Sequence, residues 1–459
     1  MKIKSMMAVA LAALCFTACS KSDDNIIFQE DNQELVAGEE TYALFSISLA
    51  KANSTRAFHG STSPTAEEGA VKDLTVYIYD YYTDTIEEVL TFSNENDTKT
   101  VLITTGPKKF VATSGISPYF QKGQPTGVDI NNTIIGVSDE AEFTSTLTVA
   151  NEFWMTSDIV EHTVVSATKE EAETTGHHNN ITMKLGRAMA KIGVVYNETI
   201  DITDDETTPN TLGHMSSVEY RIKNQPDQMY LFTGQDASGV WITPYYNRNN
   251  NLWASSHAAN YWHQQSWHST AIDGSSNHDD PSYMMENSNM TARYGNATYA
   301  SIKGVFSPST WYDQAGNPVS NSWNAGDDFW RIGYVDASGE VTGFVDNKIY
   351  NDNPDISLYA NDGTEAPVKY EGGVMYYWIY LNSSLGQTYP TNTADKYSQH
   401  RNQYWDVDIQ KVTGLGWNEE DGGRPDDPNP LDEQSYIHAT IEILEWEEVY
   451  MPGELTGNN

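Results

Sequence analysis

The fold is indicated first by the stretch YALFSISLA at residues 42–50, in which apolar and polar side chains alternate. Phe45, Ile47 and Leu49 fall on one face, and two serines fall between them on the other. Successive side chains of an extended chain point to opposite sides, so a period of two residues is typical of a β-strand with one buried face. The stretch therefore predicts a half-buried strand near the N-terminus.

Strand patterns continue along most of the chain. They occur at residues 74–79, 100–104, 110–113, 146–150, 152–156, 181–196, 297–305, 329–334, 374–381, 404–412 and 436–446. The Gly106-Pro107 turn predicts a hairpin that joins 100–104 to 110–113. The run at 181–196 is long enough to serve two sheets, and we place a domain boundary inside it, at Ala188. The sequence therefore predicts an all-β chain.

The first twenty residues have the form of a secretory signal. Two lysines precede an apolar stretch at residues 6–16 that is too short to span a bilayer. The sequence FTAC at 16–19 then has the form of a bacterial lipobox, which predicts removal of residues 1–18 and acylation of Cys19. The only other cysteine is Cys15. The remaining chain would therefore have no disulfide, and its stability would come from packing.

A flexible linker follows the first strand. Residues 51–57, KANSTRA, are small and polar, and a Gly/Ser/Thr/Pro-rich stretch continues to about residue 68. A strand with one apolar face beside an exposed linker with one arginine, Arg56, is a candidate for a detachable strand. Its removal would expose backbone N–H and C=O groups that a strand of another chain can satisfy. Head-to-tail pairing of this kind makes filaments when it does not close.

Composition excludes several partners. The 459 residues carry 26 Lys and Arg against 64 Asp and Glu, a formal charge of −38. Nucleic acid requires a basic face, and so does direct adhesion to anionic lipid. The length is sufficient for two domains.

No constellation of residues predicts catalysis or metal binding. There is no Gly-x-Ser-x-Gly motif, and His257, His263 and His268 lie in a polar stretch without zinc-ligand spacing. The acidic stretch 419–433 lacks the alternation of a calcium loop, so we expect a solvated connector. The aromatic residues between Trp241 and Trp267 are of the kind that stacks on sugars, although core or loop packing is the favoured interpretation. We predict no enzyme activity, no cofactor and no metal.

Several stretches together resemble the fimbrillins of Bacteroidales-type bacteria, the type V pilus subunits, and most of all the minor-fimbria type. The resemblance is carried by the lipobox, the strand at 42–50, the Arg56-Ala57 junction, and the motifs VKDLTVYIY at 71–79, RAMAKI at 187–192, YMMEN at 283–287, GNATY at 295–299, GGVMYY at 372–377 and RNQY at 401–404. It covers essentially the whole chain.

The resemblance implies two tandem transthyretin-like β-sandwich domains. Residues 1–18 would be the signal peptide, 19–56 a lipidated prosegment with the detachable strand, 57–188 the N-terminal sandwich, and 189–459 the C-terminal sandwich with a terminal donor strand. An arginine-specific surface protease would cut between Arg56 and Ala57, and a terminal strand of the next subunit would fill the groove that the prosegment leaves.

The donor strand is expected in the C-terminal stretch. Its candidate residues are Ile437, Ala439, Ile441, Ile443, Val449 and Met451. Alternatively, residues 436–446 form an ordinary core strand and only 447–451 are free.

The resulting prediction is a structural shaft subunit that supports adhesion. It would lie in the cell outer membrane as a lipidated precursor and in the surface fimbrium when mature. Its expected partners are other copies, accessory pilins and the protease, with a host glycan or protein receptor as a further candidate. The alternatives are a tip or accessory adhesin of the same pilus, and an anchored glycan-binding lipoprotein that keeps residues 19–56.

Overall fold

The computed structural model describes residues 38–49, 65–83, 85–94, 97–116, 133–196, 199–204, 209–234, 241–245, 261–262, 265–272, 280–320, 323–358, 363–382, 397–424, 429, 431 and 437–445. Within these ranges the chain is nearly all β, which confirms the predicted fold class. No described helix is long and apolar enough to cross a membrane.

The described residues of the first half of the chain form nine strands and three short helices. The strands are β1 (Glu40–Leu49), β2 (Thr75–Asp80), β3 (Ile86–Thr91), β4 (Thr98–Thr104), β5 (Gly106–Ser114), β6 (Ile134–Gly136), β7 (Met155–Ser157), β8 (Val160–Val164) and β9 (Asn180–Arg187). The helices are α1 (Ala66–Gly69), α2 (Glu140–Thr146) and α3 (Lys169–Ala172).

Eight of these strands form one sheet in the order β3-β2-β5-β7-β9-β1-β4, with β8 also paired to β5. Although β1 and β5 are separated by two strands in this order, the Phe45 and Phe110 ring centroids are 5.5 Å apart. The sheet therefore folds over on itself, and its two halves enclose a common apolar core.

The described residues of the second half form eighteen strands. They are β10 (Ala190–Tyr196), β11 (Ile200–Thr203), β12 (Thr211–Lys223), β13 (Gln225–Pro226), β14 (Gln228–Tyr230), β15 (Tyr261–Trp262), β16 (His268–Ser269), β17 (Ala271–Ile272), β18 (Ser282–Met284), β19 (Tyr299–Pro308), β20 (Trp311–Tyr312), β21 (Pro318–Val319), β22 (Phe329–Val335), β23 (Val341–Phe344), β24 (Glu365–Tyr370), β25 (Val374–Tyr380), β26 (Gln403–Thr413) and β27 (Ile437–Glu445). Single 3₁₀ turns occur at Ile356–Leu358 and Glu371–Gly373.

Ten of these strands form a second large sheet with its own core. Its main path is β17-β10-β26-β11-β12-β19-β25, with β16, β18 and β27 paired at its sides. The segment between β19 and β25 adds β23-β22-β24 and the pair β20-β21, and it packs aromatic side chains on the second core.

The run at 181–196 is divided between the two sheets. β9 buries alternate side chains in the first sheet, whereas every residue of β10 is buried in the second. Ala188 lies between these strands. The domain boundary itself stays a prediction.

The predicted hairpin of residues 100–104 and 110–113 is wrong. β4 pairs with β1, and β5 pairs with β2, β7 and β8. Gly106 has a φ of 117°, a conformation that favours glycine, and the chain turns there from one side of the sheet to the other. The N-terminal strand β1 takes the position beside β4 that the hairpin would have used.

Candidate functional site

The strand β1 lies inside the first sheet. It pairs in parallel with β9 on one side and antiparallel with β4 on the other. Adjacent strands lie about 4.8 Å apart, so loss of residues 40–49 would leave β9 and β4 facing each other across a gap of about 10 Å. We call this gap, with the core beneath it, the β1 groove.

Alternate side chains of β1 fill the groove. Thr41, Ala43, Phe45 and Ile47 are buried, and the intervening side chains as far as Ser48 are partly exposed. Burial of Phe45 and Ile47 follows the alternation in the sequence. The side chain of Leu49 lies outside the described part of the structure. Each large apolar side chain buried here contributes about 1.5–3 kcal/mol, so the groove holds a substantial share of the stability of the first sheet.

One end of the groove is polar. The Thr41 hydroxyl oxygen lies 2.9 Å from the Val165 carbonyl oxygen and 3.2 Å from that of Ala167, and it accepts the Ala167 N–H at 2.7 Å. The Asn179 side-chain amide donates to the Tyr42 and Val165 carbonyls, both at 2.8 Å. Its oxygen accepts the Val165 N–H at 3.0 Å. We call the Asn179 side chain and the backbone of Val165 and Ala167 the polar clamp.

The chain that follows the predicted cleavage point is anchored between the two sheets. Cys19, Arg56 and Ala57 lie outside the described residues, and the structure resumes at Thr65. Thr65 caps α1 through reciprocal hydrogen bonds with Glu68. The Glu68 carboxylate lies 2.8 Å from the Lys191 ammonium nitrogen on β10 and accepts the Tyr283 hydroxyl at 2.5 Å.

This anchor perturbs the ionisation of its members. Burial alone raises the pKa of Glu68, but Lys191, Tyr283 and the Thr65 N–H outweigh it and lower the pKa below its ordinary value. Burial, together with the Glu68 charge, raises the pKa of Tyr283. Burial lowers the pKa of Arg187, whose Nε donates to the Glu68 carbonyl, to about 10. The segment after the predicted cut is therefore held by a buried ion pair, independently of β1.

The predicted donor stretch begins as an edge strand of the second sheet. β27 pairs antiparallel with β26, whose other edge is occupied by β10 and β11. Ile437, Ala439, Ile441 and Ile443 are the register partners of Val412, Ile409, Val407 and Trp405, all of which are buried. Val449 and Met451 lie outside the described residues. Among the described strands, β27 thus has one partner, whereas β1 has two.

Two tryptophans of the 241–267 region, Trp241 and Trp267, contact other side chains of the protein. The Arg221 guanidinium and the Lys303 ammonium lie 4.6 Å and 4.3 Å from the centroid of the Trp267 ring. The Trp241 ring stacks on that of His400 at 3.7 Å. These contacts favour packing over sugar stacking for the two tryptophans.

Of the three histidines in the polar stretch, His257 and His263 lie outside the described residues. His268 Nδ1 lies 3.0 Å from an Asp280 carboxylate oxygen. In the part of the chain that the structure describes, no group of three His, Cys, Asp or Glu side chains is arranged to hold a metal ion.

The acidic stretch 419–433 is not simply a solvated connector. Glu420 pairs with Arg221 and Lys223, and Asp421 accepts from Lys223 at 2.5 Å and from the Tyr299 hydroxyl at 2.5 Å. The start of the stretch therefore docks on the β12-β19 face through ion pairs, which the sequence spacing did not reveal.

Sequence reasoning also missed Thr41 and Asn179. Thr41 precedes the stretch that carries the clear alternation, although extending the period of two by one position would have included it. Asn179 follows two histidines and immediately precedes β9, and no local pattern marks it as a residue that binds the backbone of Tyr42, 137 positions earlier.

Two family models match the chain. Residues 43–207 match the model described as major fimbrial subunit protein (FimA). Residues 368–450 match the model described as major fimbrial subunit protein type IV, fimbrillin, C-terminal. The search of curated proteins found no match. The matched segments together cover more than half of the chain and include most of β1 and all of β27.

Solved structures with a similar arrangement include a fimbrilin (fimA) of Porphyromonas gingivalis W83, at 13% identity and a TM-score of 0.47, covering 90% of this chain and 99% of that one. A candidate cell adhesion protein of Parabacteroides distasonis ATCC 8503 matches at 10% identity and a TM-score of 0.46, covering 91% and 99%. The tip fimbrial protein Mfa3 of Porphyromonas gingivalis, with a C-terminal truncation, matches at 11% identity and a TM-score of 0.34, covering 89% and 100%.

The matches define a fimbrial subunit, a class of protein that forms part of a cell-surface fimbrium. The chain belongs to the fimbrillin family, and the assignment rests on the two family models. This is a family of structural subunits and not of enzymes, as the sequence predicts. Assignment to the minor-fimbria type stays a prediction.

Proposed function

We propose that this fimbrillin is a shaft subunit that polymerises by strand exchange and supports adhesion. It is exported as a lipoprotein acylated at Cys19 and is held at the outer membrane. An arginine-specific surface protease cuts it between Arg56 and Ala57. β1 then leaves with the prosegment, and the C-terminal strand of a neighbouring subunit enters the β1 groove.

The observation that carries the proposal is the position of β1. An N-terminal segment occupies the interior of a sheet, with strands on both sides and Phe45 completely buried. Its loss would create two unpaired strand edges and an empty apolar channel. Another extended strand can pair with both edges and fill the channel.

The arginine distribution supports a single cut in the N-terminal half. Arg56 is the first arginine of the chain, and the next is Arg187. Arg187 is buried and contacts the Glu68 carbonyl, so it is protected in the folded protein. The anchor at Glu68 keeps the segment after the cut in place when β1 departs.

The C-terminal strand has suitable chemistry for the groove. Ile437, Ala439, Ile441 and Ile443 form an alternating apolar series like that of β1. β27 is an edge strand, so it leaves its own sheet by breaking a single ladder with β26. A tip or accessory subunit would instead keep β27 in its own sheet. An anchored glycan binder would keep the prosegment.

The test uses precursor that begins after Cys19, treated with an arginine-specific protease. We expect one new N-terminus at Ala57, release of residues 20–56, and a ladder of multimers on a gel run without boiling. Arg56→Lys is the matched control, because it keeps the charge and removes the protease target.

Deletion of residues 437–459 separates the alternatives. In a shaft subunit the deletion abolishes the ladder without affecting the cut. Clean release of the prosegment with no multimers would refute the shaft assignment in favour of a capping subunit. Retention of residues 20–56 after prolonged digestion would point to an anchored binder.

A further inference from the structure

The polar clamp fits a small hydroxyl side chain. The Thr41 hydroxyl accepts the Ala167 N–H and lies within hydrogen-bonding distance of the Val165 and Ala167 carbonyls. Thr41 is 1% exposed and Asn179 is fully buried, so these two side chains have almost no contact with bulk water while the groove is occupied. An apolar side chain at this position would remove the hydroxyl that accepts the Ala167 N–H, and loss of this hydrogen bond weakens the binding of the strand to the clamp.

The side chains that enter the groove follow a fixed order of sizes: Thr41, Ala43, Phe45 and Ile47. Ala43 is completely buried, so a larger side chain there would overpack the core. The order therefore defines four positions, one polar, one small and two large, and an incoming strand has to match them.

Two registers of the C-terminal strand match three of these four positions, and only one of them avoids burying a charge. With Ala439 at the position of Ala43, Ile441 and Ile443 replace Phe45 and Ile47, and Ile437 falls on the polar clamp. Reversing the same four residues places Ile441 at the small position and Ala439 at a large one. The other face of the strand would bring Thr440 to the clamp, but it would bury Glu442 where Ala43 lies.

We propose that the polar clamp is a specificity site that selects threonine or serine in the strand that occupies the β1 groove. The prosegment satisfies it through Thr41, and the C-terminal strand presents Ile437 and does not. The clamp thereby favours the prosegment over the donor and makes exchange depend on proteolysis. This inference rests on the proposed strand exchange and adds to it a reason why uncut subunits keep their own strand.

The first test does not require assembly. In the intact precursor, Thr41→Val is expected to increase hydrogen exchange of the β1 amides about tenfold, equivalent to about 1.4 kcal/mol. Thr41→Ser, which keeps the hydroxyl, is expected to stay within about twofold of the unmodified protein. Equal exchange in the Val and Ser variants would overturn the clamp whatever the outcome of polymerisation.

The second test adds synthetic strands during cleavage of the full-length precursor and measures the concentration that halves multimer formation. The peptides are residues 40–49 with and without Thr41→Val, and residues 437–445 with and without Ile437→Thr. We expect the Thr41→Val peptide to be about tenfold weaker and the Ile437→Thr peptide about tenfold stronger than its parent.

The outcomes distinguish failure of the proposed strand exchange from failure of the proposed specificity of the polar clamp. If multimers form and no peptide inhibits them, or if no multimers form, the proposed strand exchange fails, and the hydrogen-exchange test alone decides the clamp. If the parent peptides inhibit but neither substitution changes their potency, the groove is correct and the specificity site is wrong.

Discussion

Replacement of Phe45 by alanine tests whether β1 is an integral part of the precursor. Phe45 is completely buried and its ring centroid lies 5.5 Å from that of Phe110. Truncation of a buried phenylalanine to alanine costs about 3–5 kcal/mol, because the transfer free energy is lost and a cavity remains. We expect the melting temperature of the first unfolding transition to fall by about 10 °C.

The same substitution should accelerate release of the prosegment. After cleavage at Arg56, β1 is held by non-covalent contacts alone. A loss of about 3 kcal/mol corresponds to about a hundredfold faster dissociation if it falls entirely on the dissociation rate. Release is measured by size-exclusion chromatography of cleaved protein at successive times.

Ser48→Ala is the matched control, since it lies on the partly exposed face of the same strand. A surface change of this kind alters stability by less than about 0.5 kcal/mol. If Phe45→Ala shifts the melting temperature and the release rate no more than Ser48→Ala does, β1 is not packed in the precursor and the strand-exchange argument fails.

Two further predictions concern the junction and the C-terminal strand. Lys191→Met leaves the Glu68 carboxylate buried without its cation and should destabilise the protein by about 3–5 kcal/mol at pH 7, as measured by urea unfolding. Because the fold lowers the pKa of Glu68, its stabilising contribution is present above the unfolded value and is lost as pH falls through the folded one. The difference between Lys191→Met and the unmodified protein should therefore shrink below about pH 4.5, the ordinary value for this carboxyl, and a pH-independent difference would exclude the ion pair as its cause. In the register of β26 with β27, Asp406 lies opposite Glu442, and like charges directly opposite each other weaken a strand pair by about 0.2–1 kcal/mol. Asp406→Asn should slow hydrogen exchange in β27, with Asp408→Asn, opposite Thr440, as the comparison; faster or unchanged exchange would contradict this reasoning.

The elements that the sequence predicted best are those with a clear period. The alternation at 42–50 located β1 and the buried side chains of Phe45 and Ile47. The run at 181–196 contained β10 and all but the first residue of β9. These patterns reflect burial of one face or of both, which depends on residues close together in the chain.

The sequence predicted less well which strands pair with each other. The Gly106-Pro107 turn predicted a hairpin, but β4 pairs with β1, whose residues lie more than fifty positions earlier. A turn motif constrains the chain only locally, and tertiary pairing overrides it. Thr41 and Asn179, or Glu68 and Lys191, are likewise brought together by the topology, so a single sequence carries no sign of their contact.

In the proposed strand exchange, the geometry gives a reason why a covalent cut would act as the trigger. While β1 is joined to the rest of the chain, its binding to the groove is intramolecular, and its effective concentration is in the millimolar range or above. A strand of a neighbouring subunit would therefore compete poorly with β1. Ile437 would weaken that strand further, because it would fall on the polar clamp without a hydroxyl. After the proposed cut, the same contacts would be bimolecular and the prosegment would be diluted on release. The proposed donor of an adjacent subunit at the same surface would then have the higher local concentration, so the assembly rate should rise with the surface density of cleaved subunits and fall when free prosegment is added.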